Sequence, residues 1–130
     1  MMETLDVASL ASAIPEYPAG DFGFLLPAFD DAECDKALAL ASHLLAMNCA
    51  QITCLGLKAE KLHDEIDALV EGAGKFNILT TYDVDPLEAC EYFIFSAGSS
   101  VTHLVALIAD HSEVVSILDT VIDDFRRDEK

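Results

Sequence analysis

The sequence predicts a single α/β domain in three layers: four mainly parallel strands with helices on both faces, in a Rossmann-like or flavodoxin-like outline. Three observations carry this prediction. Short apolar runs alternate with segments whose apolar residues recur every three or four positions. Acidic, proline and glycine residues separate these segments, as helix caps and turns require. With 130 residues, 52% of them hydrophobic, the chain has the size and the core of one domain.

Four apolar runs are typical of buried strands, and they span residues 22–29, 50–55, 76–81 and 101–109. Pro27 predicts an irregular end or an edge position for the first of them. Helical patterns follow the strands, over residues 30–47, 58–71, 85–97 and from 112 onward. Because single helices separate the strands, we expect parallel pairing with right-handed crossovers.

Capping signals mark where two of the helices begin. Asp30 precedes Glu33 by three residues, which is the spacing of a capping box. Asp85, Pro86 and Glu88 combine an N-cap residue, an N1 proline and an N3 carboxylate. Both patterns predict that a helix starts directly after a strand end.

The first twenty residues are predicted to be an N-terminal extension, and residues 21–130 to be the α/β domain. Two prolines and a glycine interrupt regular structure in the extension. Its segment Leu5–Ile14 is compatible with a short helix.

Charge excludes two classes of partner. The net charge is −17, from 24 acidic and 7 basic residues, and the basic residues form no cluster. Binding to nucleic acid or to an anionic membrane needs clustered cations, so neither is expected. A basic protein or a divalent cation is the favoured partner, although solubility alone explains the charge equally well.

The four cysteines, at positions 34, 49, 54 and 90, form no CxxC pair. The N-terminus lacks the pattern of a signal peptide, and no apolar run reaches the length of a membrane span. We therefore expect a cytoplasmic protein with reduced, buried thiols and no cofactor.

The strand-end crevice of such a fold is predicted to be acidic. Asp30, Asp31 and Asp83 follow strand patterns and are weak candidates for Mg²⁺ ligands. Helix capping and solvation explain the same residues more simply. The turn at residues 29–34 is acidic, not glycine-rich, which excludes dinucleotide and P-loop sites.

His63 and Asp64 form a doublet, with Asp67 one turn further along the same helix. This spacing allows a shared metal, but a surface hydrogen bond is the commoner arrangement. The other three histidines, at positions 43, 103 and 111, are interpreted as structural residues.

Acidic residues concentrate near the helix starts. Five of them are predicted to bind a partner: Asp30, Asp31, Asp64, Asp67 and Asp83. If they adjoin in space, they form a negative surface that steers a basic protein.

Gly56, the segments 62–67 and 79–81, and Asp83 together resemble small acidic bacterial α/β domains of uncharacterised function, over residues 22–96. In size and acidity the chain is also similar to immunity proteins of bacterial toxin systems. That similarity implies binding to a basic toxin domain.

The leading hypothesis is a non-enzymatic protein-binding domain, an immunity-like or regulatory inhibitor of a basic partner. The alternative is a divalent-metal-dependent enzyme or a small-ligand domain at the strand-end crevice, using the three crevice aspartates and His63. A homodimer is a further alternative.

Overall fold

The computed structural model describes residues 2–11, 20–75 and 77–128. Its strands are β1 (Thr4–Val7), β2 (Phe22–Pro27), β3 (Cys49–Leu55), β4 (Leu79–Asp83) and β5 (His103–Ala106). Its α-helices are α1 (Asp31–Leu44), α2 (Ala59–Gly72), α3 (Pro86–Phe95) and α4 (Ser112–Asp128). A single 3₁₀ turn, Ala97–Ser99, links α3 to β5. None of the helices in these residues combines the length and the apolar character needed to cross a membrane.

All strand pairs are parallel, and the sheet order is β1-β5-β2-β3-β4. The chain runs from β2 outward through β3 to β4, then crosses to the other side of β2 to form β5. The direction of winding therefore reverses between β2 and β5. In open parallel sheets, ligands bind beyond the carboxyl ends of the strands at such a reversal.

The α/β prediction is confirmed, but the expected number of strands is wrong by one. Residues 4–7 form an edge strand that pairs with β5, in place of the start of a short helix. Their register runs from Thr4 opposite His103 to Val7 opposite Ala106. This pairing joins residues 99 positions apart in the chain, which no local pattern in four residues reveals. The remainder of the predicted helix, beyond residue 11, lies outside the described residues.

Helices cover both faces of the sheet and give two separate cores. One core contains Phe24, Ile52 and the buried faces of α1 and α2. The other contains Leu25, Leu55 and the buried faces of α3 and α4. Neighbouring residues of a strand point to opposite faces, so β2 contributes to both cores. This arrangement confirms the three-layer prediction.

Pro27 lies at the end of the central strand β2, which corrects the expectation of an edge position. Leu25 accepts a hydrogen bond from the backbone N–H of Leu107, so alternate residues of β2 face β5. The pairing with β5 ends at Leu25 opposite Ala106. Pro27 therefore lies one step beyond the last rung, where its missing N–H interrupts nothing.

Candidate functional site

Glu33 connects the ends of β2 and β5, the two strands between which the direction of winding reverses. The Asp30 carboxylate caps α1 by accepting the Glu33 N–H at 2.8 Å, as the sequence predicted. Glu33 does not return the bond to Asp30; its Oε1 accepts the N–H of Phe29 at 2.8 Å. Its Oε2 lies 2.6 Å from Nε2 of His111, which follows β5. One carboxylate thus joins the ends of the two strands at the reversal.

His111 lies beside a cleft at this end of the sheet. Its ring packs on Phe29 with centroids 4.4 Å apart. A cleft of about 590 Å³ lies next to Glu33, and its polar lining is mixed: Asp30, Glu33 and Asp110 with Lys36 and His43. A second cleft of about 260 Å³ borders His111 directly. Two clefts therefore lie at this end of the sheet, and His111, interpreted from sequence as structural, lines the smaller one. Neither cleft is lined by Asp31 or Asp83.

The chemistry that this crevice offers is limited. An imidazole oriented by a carboxylate is able to exchange a proton at its other nitrogen. In the described residues, however, no hydroxyl or thiol side chain hydrogen-bonds to His111. The arrangement therefore contains an oriented base without an adjacent protein nucleophile.

The cysteines supply no nucleophile either. All four are free and buried, as predicted. Burial raises the pKa of the Cys49 and Cys90 thiols to about 12. It also raises the pKa of Cys34 and Cys54, the first with help from the negative charge of Glu65. Since the thiolate is the reactive form, these side chains act as core packing at neutral pH.

Asp30 and Asp31, two of the five predicted partner-binding residues, lie at the start of α1. Asp30 is occupied as the helix cap. The Asp31 carboxylate lies 3.7 Å from the Lys58 ammonium and 3.6 Å from that of Lys61. The charge of Asp31 in turn raises the pKa of Lys61. Two neighbouring cations therefore offset part of the negative charge at the start of α1.

Asp64 and Asp67 instead belong to a polar network along the edge strand β4. The His63 ring lies between them, with Nδ1 3.0 Å from Asp64 and Nε2 3.6 Å from Asp67. Thr80 of β4 donates a hydrogen bond to Asp67, and Tyr82 packs on the His63 ring at 4.9 Å. The His63–Asp67 spacing predicted from sequence is thus used to attach α2 to β4.

Tyr82 is held from two sides in this network. Its hydroxyl donates a hydrogen bond of 2.6 Å to the Glu60 carboxylate, while the residue as a whole remains 41% exposed. The hydrogen bond and the negative charge of Glu60 both raise the pKa of Tyr82. Because this exposed aromatic side chain is already fixed, it loses little further conformational entropy when a partner covers it.

Asp83, the fifth predicted residue, ends β4 in an acidic turn. Its Oδ1 accepts the N–H of Asp85 at 2.9 Å. The pKa of Glu88 is raised by a hydrogen bond to the Asp83 carboxylate and by the negative charges of Asp83 and Asp85. Carboxylates therefore crowd the start of α3, and in the described part of the chain no lysine or arginine forms an ion pair with them.

Exposed apolar side chains gather in the same segment. Eight large apolar residues are exposed in the described part of the chain, and six of them lie between residues 79 and 95: Leu79, Tyr82, Val84, Leu87, Tyr92 and Phe95. Each of the six is between 39% and 49% exposed. A seventh, Leu57, follows Gly56, whose N–H bonds to the carbonyl of Asp83. We call the exposed side chains of residues 79–95 the β4–α3 surface.

The β4–α3 surface also has a one-sided charge. It contains four acidic residues and no lysine or arginine. The absence of lysine and arginine extends over the whole stretch between Lys75 and Arg126. Of the residues in this surface, only Asp83 was predicted from the sequence to bind a partner, and the exposed apolar residues were not. Leu87 was expected on the buried stripe of its helix, but it is 47% exposed. The available signal was Tyr82 and Val84, which lie between the predicted strand and helix in a stretch free of lysine and arginine.

The structure does not assemble the proposed metal candidates into one site. Asp30 and Asp31 lie at the start of α1, Asp83 at the end of β4, and His63 on α2. Across residues 2–11, 20–75 and 77–128, no three histidine, cysteine, aspartate or glutamate side chains form a group suited to a metal ion.

No model of a known protein family matches this chain, and no curated protein sequence does so either. We therefore infer function from the residues and their geometry.

Glu88→Gln is expected to stabilise the protein at pH 7. The folded state holds the Glu88 proton more tightly than the unfolded chain does, because its pKa is raised above the ordinary 4.5. Parent stability is therefore lost as the pH rises from 4.5 through the raised value. Glutamine keeps a hydrogen-bond donor towards Asp83 without the charge. Urea midpoints should differ at pH 7 and converge at pH 4.

Glu113→Gln is the matched control. Glu113 lies in the first turn of α4, and in the described residues no carboxylate is hydrogen-bonded to it. Removing the Glu113 charge loses the favourable interaction of a carboxylate with a helix N-terminus and relieves no repulsion. The free energy of unfolding should therefore fall slightly or stay unchanged. If the Glu88→Gln variant is no more stable than the parent at pH 7, repulsion among the carboxylates at the start of α3 does not destabilise the folded state.

Proposed function

We propose that this protein is a non-enzymatic binding domain whose β4–α3 surface binds a basic protein, as a regulatory or immunity-type inhibitor does. The observation that carries the proposal is the coincidence of exposed apolar side chains with uniformly negative charge in one segment. Protein interfaces typically join an apolar centre containing aromatic residues to a polar rim.

The network on α2 extends this surface. Tyr82, an aromatic residue suited to the centre of an interface, is already held by Glu60 and His63. Asp64 is 70% exposed beside it and adds negative charge at the rim. A basic partner would be steered to this side of the molecule by the field of the carboxylates and retained by the apolar centre.

Two charge-reversal variants test the proposal. Asp64→Lys/Glu88→Lys reverses two exposed carboxylates beside and within the β4–α3 surface, whereas Asp119→Lys/Asp123→Lys reverses two exposed carboxylates on α4. Both change the net charge by the same amount. Each protein, with the parent, is used to capture partners from the native host at low and high salt. The captured protein is then purified, and its affinity is measured by calorimetry.

The expected result is a basic partner whose affinity falls about tenfold or more for the first variant and stays near the parent value for the second. Binding should also weaken with salt, because screening shortens the range of the carboxylate field. A partner that binds both variants equally, or one without a basic surface, would contradict the proposal. Circular dichroism of both variants serves as the control for folding.

The crevice at the β2–β5 reversal supports the second candidate, a small-ligand or metal-dependent domain. The cleft and the Glu33–His111 pair favour it. The missing nucleophile and the dispersed metal candidates in the described residues weigh against it. Calorimetry with Mg²⁺, Mn²⁺ and Zn²⁺ tests the metal-dependent form of this candidate. A dissociation constant no tighter than millimolar for all three ions would contradict it.

A further inference from the structure

The sheet ends at β4 with one free backbone edge. β4 pairs with β3 on one side, and among the residues that the structure describes no strand lies on its other side. The pairing runs without a bulge from Leu79 opposite Gln51 to Asp83 opposite Leu55. No lysine or proline lies within the strand to discourage a further strand, although both are common protections of exposed edges.

The direction of the free groups follows from one hydrogen bond. The Asp83 carbonyl accepts the N–H of Gly56, so Asp83 faces the β3 side of the strand. In a parallel pair, alternate residues direct their N–H and C=O groups to the same neighbour. Thr80 and Tyr82 therefore direct theirs outward. Within the described residues, no hydrogen bond satisfies these backbone groups.

The two sides of this edge differ in chemistry. Thr80 and Tyr82 lie on the α2 side, where they contact the carboxylates of Asp67 and Glu60. Leu79 lies on the other side and is 45% exposed, and Thr81 and the terminal Asp83 share that side by alternation. That side is the α3 side, since Thr81 bonds to Thr53, which shares its strand face with the α3-side core residue Leu55.

We propose that the basic partner adds an extended segment to β4 as a sixth strand, with basic side chains on the α2 side and apolar side chains on the α3 side. This inference rests on the proposed function and deepens it. Strand addition supplies main-chain hydrogen bonds for affinity and alternate side chains for specificity. Two copies of this chain are disfavoured as mutual partners, because each carries a net charge of −17.

A synthetic peptide provides a defined probe. We would use a seven-residue chain that alternates lysine and valine, capped at both ends, and a sequence of the same composition with the lysines grouped together. Binding to the full-length protein is measured by fluorescence anisotropy. The alternating peptide is expected to bind about tenfold more tightly than the grouped one, because only alternation places all lysines beside the α2 carboxylates.

N-methylation of the peptide then tests the backbone. One version carries methyl groups on the lysine amides and another on the valine amides. Only alternate amides of an added strand face β4, so one version should lose about tenfold in affinity while the other retains it. Loss with the lysine version indicates an antiparallel strand, and loss with the valine version a parallel one. Hydrogen exchange at the Thr80 and Tyr82 amides should slow when peptide binds.

Equal affinity for the two N-methylated versions, or unchanged exchange at Thr80 and Tyr82, would overturn strand addition. So would failure of the unmodified peptide to bind. A concentration-dependent dimer in sedimentation equilibrium, with the same two amides protected, would replace the partner by a second copy. These failures leave the proposed function intact if the charge-reversal variants still distinguish the partner, so the two ideas can fail separately.

Discussion

Gly56→Ala is expected to lower the free energy of unfolding by about 3 kcal/mol and the melting temperature by about 10 °C. Gly56 has a φ of +113°, in the region that side chains with a Cβ rarely adopt. A Cβ at this position would lie 2.7 Å from the carbonyl oxygen of Ala28 and 3.1 Å from the backbone nitrogen of Phe29. Both obstacles are backbone atoms, so neither can rotate away.

The effect should extend beyond local strain. The Ala28 carbonyl accepts the N–H of Lys58, and the Gly56 N–H bonds to Asp83. Gly56 therefore holds the ends of β2 and β4 in place around the end of β3. Displacing it would disturb both the crevice at Phe29 and the start of the β4–α3 surface.

Gly72→Ala is the matched control for this prediction. Gly72 is the last residue of α2, and nothing lies within 4 Å of a Cβ built there. Alanine restricts the unfolded chain, so this variant should be more stable than the parent by about 0.5 kcal/mol. Urea unfolding of both variants is the measurement. Equal stability of Gly56→Ala and Gly72→Ala would show that the turn relaxes and does not hold the strand ends.

Phe24→Ala is expected to cost about 4 kcal/mol of unfolding free energy. Phe24 is fully buried in the central strand β2 and stacks on Phe22, with ring centroids 5.5 Å apart. Its ring fills the space between the sheet and the α1–α2 layer. Removing the ring leaves a cavity between the sheet and the helices. The cavity cannot close, because β2 is hydrogen-bonded to a strand on each side and the helices are packed against the sheet.

The same substitution at Phe95 separates the packing effect from the change of residue type. Phe95 is 40% exposed and contacts Phe125 at 5.4 Å. Phe95→Ala should therefore cost only about 1 kcal/mol. Chemical denaturation of both variants gives the comparison. A loss below about 1 kcal/mol for Phe24→Ala would mean that the core repacks, and it would contradict the tight packing inferred from full burial.

The alternation of strand and helix patterns predicted four of the five strands and all four α-helices. Apolar runs and helical spacing indicate where strands and helices form, and the caps at Asp30 and Asp85 indicate where two helices begin. Both are local properties, which is why a single sequence reveals them. These patterns did not indicate exposure, since β4 was expected to be buried and is an exposed edge strand. β1 escaped prediction because four residues carry too little pattern, and its pairing with β5 is long-range.

Acidity and the lack of basic clusters were likewise readable from the sequence alone, since charge is set by composition. Only the tertiary structure decided which carboxylates act together. In the folded protein, Asp31 lies near two lysines, and Asp67 accepts a hydrogen bond from Thr80. Asp64 remains exposed beside the free edge of β4. The physical reason is that a charged side chain acquires its role from neighbours brought by the fold, and those neighbours are distant in the chain.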